Sequence, residues 1–131
     1  MSPYELLQEI YYPDKWKMLL SCIFLNCTNR KQVDKIRDEF FERWPTPQSI
    51  SQKDYDQIRD VIQSLGFKDK RTQTIINFSH AFLHTEWTNP IELPGIGRYG
   101  QDMWDIFINN KFIENPSDKV LKKYVIWKFQ K

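Results

Sequence analysis

Cysteine is almost missing from this 131-residue chain: Cys22 and Cys27 are the only two. An all-cysteine zinc site or a cysteine-ligated iron–sulfur cluster needs four thiolates, so neither can be built. Glycine occurs four times and proline seven times, which excludes collagen-like and low-complexity chains. No apolar run approaches the roughly 18 residues that span a bilayer, so no membrane partner is expected. Met1-Ser2-Pro3-Tyr4-Glu5 has neither the basic region nor the apolar stretch of a secretory signal. Two cysteines without such a signal read as free thiols in a reducing compartment. The expected location is intracellular, nuclear in a eukaryote or cytoplasmic in a prokaryote. Period-two alternation and Asn-Gly or Asp-Gly hairpin signals are also missing, so no strands are expected.

Charge of one sign is scarce too. The net charge of +2 is too small to argue for nucleic acid by itself. Its distribution says more: residues 111–131 hold six lysines against Glu114 and Asp118, leaving the rest of the chain slightly acidic. A basic end on a near-neutral body suits a one-sided phosphate-binding face, and equally a solvated terminal helix.

Aromatic residues are plentiful at 15%, with five Trp, six Tyr and nine Phe to fill one core. The apolar spacing is helical nearly throughout. Ser2-Pro3-Tyr4-Glu5 reads as a capping box opening a helix with Leu6, Leu7 and Ile10 on one side. Asp14 starts a second helix, nearly apolar across Leu19–Leu25 and therefore central. Asn29 caps a third, with Val33, Ile36, Phe40 and Trp44 on one face, ended by Pro45-Thr46-Pro47. A short turn at Pro47–Ser51 follows. Ser51 then caps a helix carrying Tyr55, Ile58, Val61, Ile62 and Leu65, closed by Gly66. Another covers about Lys70–His84, and Asp118 begins the last. The expectation is a single all-α domain, residues 1–131, of about seven to nine short helices.

Three of the four glycines fall in Leu93-Pro94-Gly95-Ile96-Gly97-Arg98-Tyr99-Gly100. Glycine permits the positive φ and close backbone approach of a tight turn between helices. Such a turn can also present backbone N–H groups at a helix start, where an anion such as a phosphodiester binds. An ordinary helix–turn–helix corner explains the glycines equally well. No Gly-Lys-Ser/Thr follows and no strand precedes, so neither a Walker loop nor a dinucleotide fingerprint fits.

Residues 93–100 resemble the hairpin of the helix–hairpin–helix DNA glycosylases, the superfamily of endonuclease III and the adenine glycosylase MutY. Phe24-Leu25-Asn26, Ile91-Glu92-Leu93, Tyr99-Gly100-Gln101-Asp102 and Asp118 through Tyr124 are similar, in order and spacing, to the glycosylase domains of the methyl-CpG-binding thymine glycosylases. The similarity runs from about Tyr4 to Trp127. It implies two lobes: a middle segment, about 29–90, and a lobe of both termini, about 1–28 and 91–131. DNA would lie in the groove between them, gripped through its backbone by Gly95, Gly97, Arg98 and Lys119. The expected partner is double-stranded DNA with a mismatched or damaged base, bound by a monomer.

The resemblance implies roles for single residues. Asp118 matches the catalytic aspartate; in isolation it would read as a helix cap. The developing positive charge of a cleaved glycosidic bond suits a nearby carboxylate. Tyr99 stands where lyase-type members carry a Schiff-base lysine, and a phenol cannot form that imine, so base release without strand cleavage is expected. Tyr99 would also line the base pocket, and Gln8 would read the pyrimidine edge with an amide that both donates and accepts. Leu65 and Phe67, beside Lys68, Lys70 and Arg71, would meet the guanine left behind. One departure stands out: Cys27 occupies the position of an arginine that fills the vacated stack, with Arg30 a candidate substitute. His80 and His84 lie one turn apart without a third ligand, so no metal is expected, and the chemistry calls for no cofactor. The implied activity is release of thymine or uracil from G·T or G·U mismatches. Another damaged pyrimidine, or a non-enzymatic helix–hairpin–helix DNA-binding module, are the alternatives.

Overall fold

The computed structural model describes residues 1–130. They form seven α-helices: α1 (Leu7–Tyr11), α2 (Lys15–Leu25), α3 (Arg30–Arg43), α4 (Tyr55–Ile62), α5 (Lys68–His84), α6 (Arg98–Phe107) and α7 (Lys119–Phe129). Four short 3-10 turns, at Pro47–Ser49, Gln52–Asp54, Gln63–Leu65 and Pro90–Glu92, link them. The all-α class and the number of helices agree with the sequence pattern.

The helix at the centre is α2. Asp14 starts it by accepting the Lys17 amide at 3.0 Å, and Trp16, Met18, Leu19, Leu20, Cys22, Ile23 and Phe24 are all buried. It packs against α1, α3, α5 and α6, as expected of a helix apolar on every side. The Trp16 indole donates to the Ser79 hydroxyl of α5 at 3.0 Å, which satisfies its one polar atom. Asn29 starts α3 by accepting the Gln32 amide at 3.0 Å. Phe40 and Phe41 of α3 meet Phe24 of α2 at ring separations of 5.0 and 5.9 Å. One continuous apolar cluster runs from Leu6 to Val125, with each fully buried side chain in it contributing roughly 1.5–3 kcal/mol.

Three local expectations are corrected. The capping box is not Ser2–Glu5. The carboxylate of Glu9 accepts the Leu6 amide at 3.0 Å, the Ser2 amide at 2.7 Å and the Ser2 hydroxyl at 2.5 Å. Helix α1 therefore starts at Leu7, and Ile10 is exposed rather than packed. Ser51 caps the Gln52–Asp54 turn, not α4 itself. Helix α5 begins at Lys68, two residues early, because Phe67 turns the chain in a left-handed conformation, φ 48°.

Arg71 of α5 organises the loops. It is 6% exposed, and no carboxylate pairs with it among the described residues. Its guanidinium donates to the carbonyls of Ile23 at 2.7 Å and Asn26 at 2.8 Å, and to those of Gly66 and Leu65 at 3.1 and 3.3 Å. A cation there satisfies the open carbonyls at the C-terminus of α2. It also ties that end to the turn before Phe67. Arg71 is thus not one of three surface cations beside Phe67; Lys68 and Lys70 remain exposed.

Candidate active site

The 93–100 segment folds as a turn into α6. Gly95 takes φ 83°, and a Cβ on it would run into Thr74 of α5 and Ile23 of α2. Gly97 differs: its φ is −111°, and a Cβ would meet nothing. No internal strain requires glycine at 97, and the space beside it is open to a ligand. The first bond at the start of α6 runs from the Gln101 amide to the Gly97 carbonyl at 3.1 Å. The amides of Arg98, Tyr99 and Gly100 therefore have no helical acceptor.

On the inner side of this turn lies a cavity of about 560 Å³. Gln8, Tyr99, Asp118 and Arg30 all line it, together with Cys27 and Leu6. Residues as far apart in sequence as Leu6 and Asp118 thus line one cavity. Gln8 is 1% exposed. Its amide nitrogen donates to the Tyr99 hydroxyl at 3.0 Å and to the Cys22 sulfur at 3.5 Å. Burial pushes the Tyr99 phenol far above its ordinary value, and Cys22 and Asp118 nearby add to the effect. Burial likewise pushes the Cys22 thiol up to about 12. Both groups are neutral at physiological pH.

Asp118 precedes α7, and its Oδ2 accepts the Leu121 amide at 2.9 Å, a helix cap in geometry. Its Oδ1 has no donor among the described residues. One carboxylate therefore both starts the helix and lines the cavity. The approach to it is fastened to α6: Asp102, 8% exposed, accepts the Ser117 amide at 3.1 Å. Arg98 donates to the Asn115 carbonyl at 2.7 Å and lies 3.5 Å from Asp102. Asp102 has no role in the sequence reading; its place four residues after Arg98, on one helix face, was the available signal.

Arg30 opens α3 at the cavity edge. Its Nε lies 2.8 Å from Asp34, and its Nη1 donates to the Glu5 carbonyl at 2.6 Å. Cys27 is exposed in a left-handed conformation, φ 58°. It borders a second cavity of about 350 Å³ shared with Phe67, Lys70 and Thr74. Phe67 projects, 69% exposed. Leu65 does not: its side chain is 3% exposed in the core and its carbonyl is taken by Arg71, so it offers no surface contact. Lys119 is exposed in the first turn of α7. Among the described residues no group of three or more His, Cys, Asp or Glu is placed to hold a metal ion. The His80 and His84 rings lie 4.5 Å apart, tilted by 46° to each other. No described helix is long and apolar enough to cross a membrane.

The arrangement can hold a planar polar ring against a phenol and an amide that line one wall, with a carboxylate beside it and unmatched backbone amides outside. Residues 20–126 match the family described as HhH-GPD superfamily base excision DNA repair protein. A methyl-CpG-binding domain protein 4-like protein of Arabidopsis thaliana is 32% identical over 124 residues, 94% of this chain and 28% of that protein. A thymine-DNA glycosylase of Aeropyrum pernix is 28% identical over 94 residues, 66% of this chain and 42% of that one. An endonuclease III of Buchnera aphidicola subsp. Schizaphis graminum is 29% identical over 98 residues, 69% of this chain and 46% of that one. The chain spans less than half the length of these three relatives. A family match over most of the sequence, a wholly helical fold and a glycine turn beside the cavity lead to one conclusion: the chain belongs to the HhH-GPD superfamily, the helix–hairpin–helix proteins of base excision DNA repair.

Proposed function

We propose that the chain is a DNA glycosylase domain that flips thymine or uracil out of a G·T or G·U mismatch and hydrolyses its N-glycosidic bond. The observation that carries this reading is the convergence of Gln8, Tyr99 and Asp118 on one cavity inside the glycine turn. The thymine-DNA glycosylase among its relatives supports the choice of base. A mismatched base is already poorly paired, which lowers the cost of extruding it.

In this mechanism double-stranded DNA lies in a groove between two lobes, about 29–90 and the two terminal segments. The amides after Gly97 bind a phosphate at the start of α6, and Arg98, Lys119 and the backbone of Gly95 add to the grip. Phe67 faces the widowed guanine, and Arg30 guards the entrance on the side where Cys27 is too short to fill the stack. The flipped base enters the cavity and rests against the Tyr99 and Gln8 side chains. The bond from C1′ to the base breaks, and its electron pair leaves with the base. The ionised Asp118 stabilises the positive charge growing on the sugar. Water adds to C1′ and its proton passes to the Asp118 carboxylate. The Tyr99 hydroxyl, whose oxygen already accepts from Gln8, donates a hydrogen bond to a carbonyl of the departing base, and the proton taken up by Asp118 passes to the released base. A neutral phenol forms no imine with C1′, so the strand is left intact at an abasic site.

The test is base release from a G·U duplex by the purified monomer. Expected are free uracil, strand cleavage only after alkali, and no covalent adduct with borohydride. Cleavage without alkali, together with a borohydride adduct, would make the protein a lyase. Duplex binding without any base release would make it a binding module instead.

A further inference from the structure

Behind the Gln8 side chain that lines the cavity lies a thiol that the mechanism above does not use. Cys22 is 3% exposed on α2. Its Sγ donates to the Met18 carbonyl at 3.6 Å, so its one proton is committed within its own helix. Towards Gln8 the sulfur can then act only as an acceptor. A carboxamide nitrogen has two N–H groups. The Tyr99 oxygen and the Cys22 sulfur take both. No described donor reaches Gln8 Oε1, yet no buried side-chain oxygen or nitrogen is left without a partner. That oxygen therefore reaches the cavity which Gln8 lines.

We infer that Cys22 is a positioning residue that holds the Gln8 amide with its oxygen towards the incoming base, so that the pocket selects bases bearing an imide N–H. The inference rests on the glycosylase reading for its substrate, but the orientation itself concerns the free protein. With the amide turned over, Oε1 could accept from the Tyr99 hydroxyl but would still face a sulfur whose proton is spent, and the NH₂ would face the base. An imide N–H meeting an NH₂ leaves two buried donors opposed. Uracil and thymine carry the imide N–H; the ring nitrogen of cytosine at the same place is an acceptor and would meet the amide oxygen lone pairs. A hydroxyl could replace the thiol, because it too can donate along its own helix and accept from Gln8. A methyl group could not.

Two measurements test this. Uracil release from a G·U duplex is compared among the unmodified protein, Cys22→Ala, Cys22→Ser, Gln8→Ala and the Gln8→Ala, Cys22→Ala double variant. Loss of one neutral hydrogen bond's worth of orientation predicts about a tenfold lower kcat/KM for Cys22→Ala. The serine variant should stay within about threefold, and the alanine change should have no further effect once Gln8 is gone. Equal losses from Cys22→Ala in both backgrounds would make Cys22 mere packing and overturn the inference. Proton exchange of the Gln8 side-chain NH₂, followed by NMR in the free protein, needs no activity. Slow exchange that quickens in Cys22→Ala supports the orientation; fast exchange in the unmodified protein overturns it. Slow exchange in a protein that releases no uracil would leave the orientation standing and refute the glycosylase reading alone.

Discussion

The floor of the cavity and its rim are built on opposite principles. On the floor, Gln8 and Tyr99, with Cys22 behind them, stand on helices, are largely buried and occupy one another's hydrogen-bonding groups. On the rim, Cys27 and, across the adjoining second cavity, Phe67 are exposed on left-handed backbone, φ 58° and 48°. Left-handed residues with a side chain cost roughly 1–3 kcal/mol and persist only where the surroundings hold them. Here much of the holding is done by Arg71, whose guanidinium reaches the carbonyls on both sides of the gap. The floor is fixed by packing and the rim by one buried cation, so substitutions should separate chemistry from grip.

The sharpest separation is expected at Asp118. Replacement by Asn keeps a side-chain oxygen for the Leu121 amide, so α7 keeps its cap. Base release should nonetheless fall by ~10²–10³-fold, while duplex affinity stays equal or rises, measured by single-turnover kinetics and a binding titration. An unchanged turnover would remove Asp118 from the chemistry.

Arg71→Met should break the rim instead. Stranding the Ile23, Asn26, Leu65 and Gly66 carbonyls is expected to cost about 3 kcal/mol in unfolding free energy by urea titration. Protein that remains folded should lose grip on duplex more than single-turnover rate of the proposed base release. Stability within error of the unmodified protein would show that water replaces the guanidinium.

Two glycines two residues apart should respond differently. Gly95→Ala forces a side chain into left-handed backbone and into Thr74, so a stability loss of about 1–3 kcal/mol is expected. Gly97→Ala meets nothing within the protein, so its melting temperature should hold. Duplex affinity should drop about tenfold, the worth of one charge-assisted contact to phosphate. The same drop is expected with or without a mismatch, because phosphate carries no sequence. A drop confined to mismatched duplex would place Gly97 at the base rather than the backbone.

The smallest effect belongs to Glu9. Burial alone would raise its carboxyl, but hydrogen bonds from Ser2 and Leu6 outweigh that and hold it below its ordinary value of 4.5. A group depressed by folding stabilises above its unfolded value and loses that contribution as pH falls through the folded one. Glu9→Gln should therefore cost about 1 kcal/mol near neutral pH. The difference should shrink as the pH is taken below 4.5, followed by thermal melts across pH.

Much of the scaffold was legible because its signals are local. Asp14, Asn29 and Asp118 cap the helices that follow them, and Gly66 and Gly95 take positive φ where turns were expected. The first capping box was misread because Glu9, seven residues from Ser2, competes successfully with Glu5. Arg71 lies in a run of charges that reads as solvated; only the C-terminus of α2, far away in sequence, makes its burial favourable. Cys22 was hidden for the same reason, since its acceptor role depends on Gln8 fourteen residues away.

The Gln8–Tyr99 hydrogen bond joins residues 91 positions apart, and Asp118 lies beyond both. A pocket with such separated walls has high local contact order and exists only after the chain has closed on itself. No single helical hairpin of this protein contains it. A partly folded chain, with its lysine-rich last helix free to meet DNA, would have nothing in which to hold an extruded base. Its topology therefore acts as a safeguard, confining the proposed bond-breaking to molecules that have finished folding.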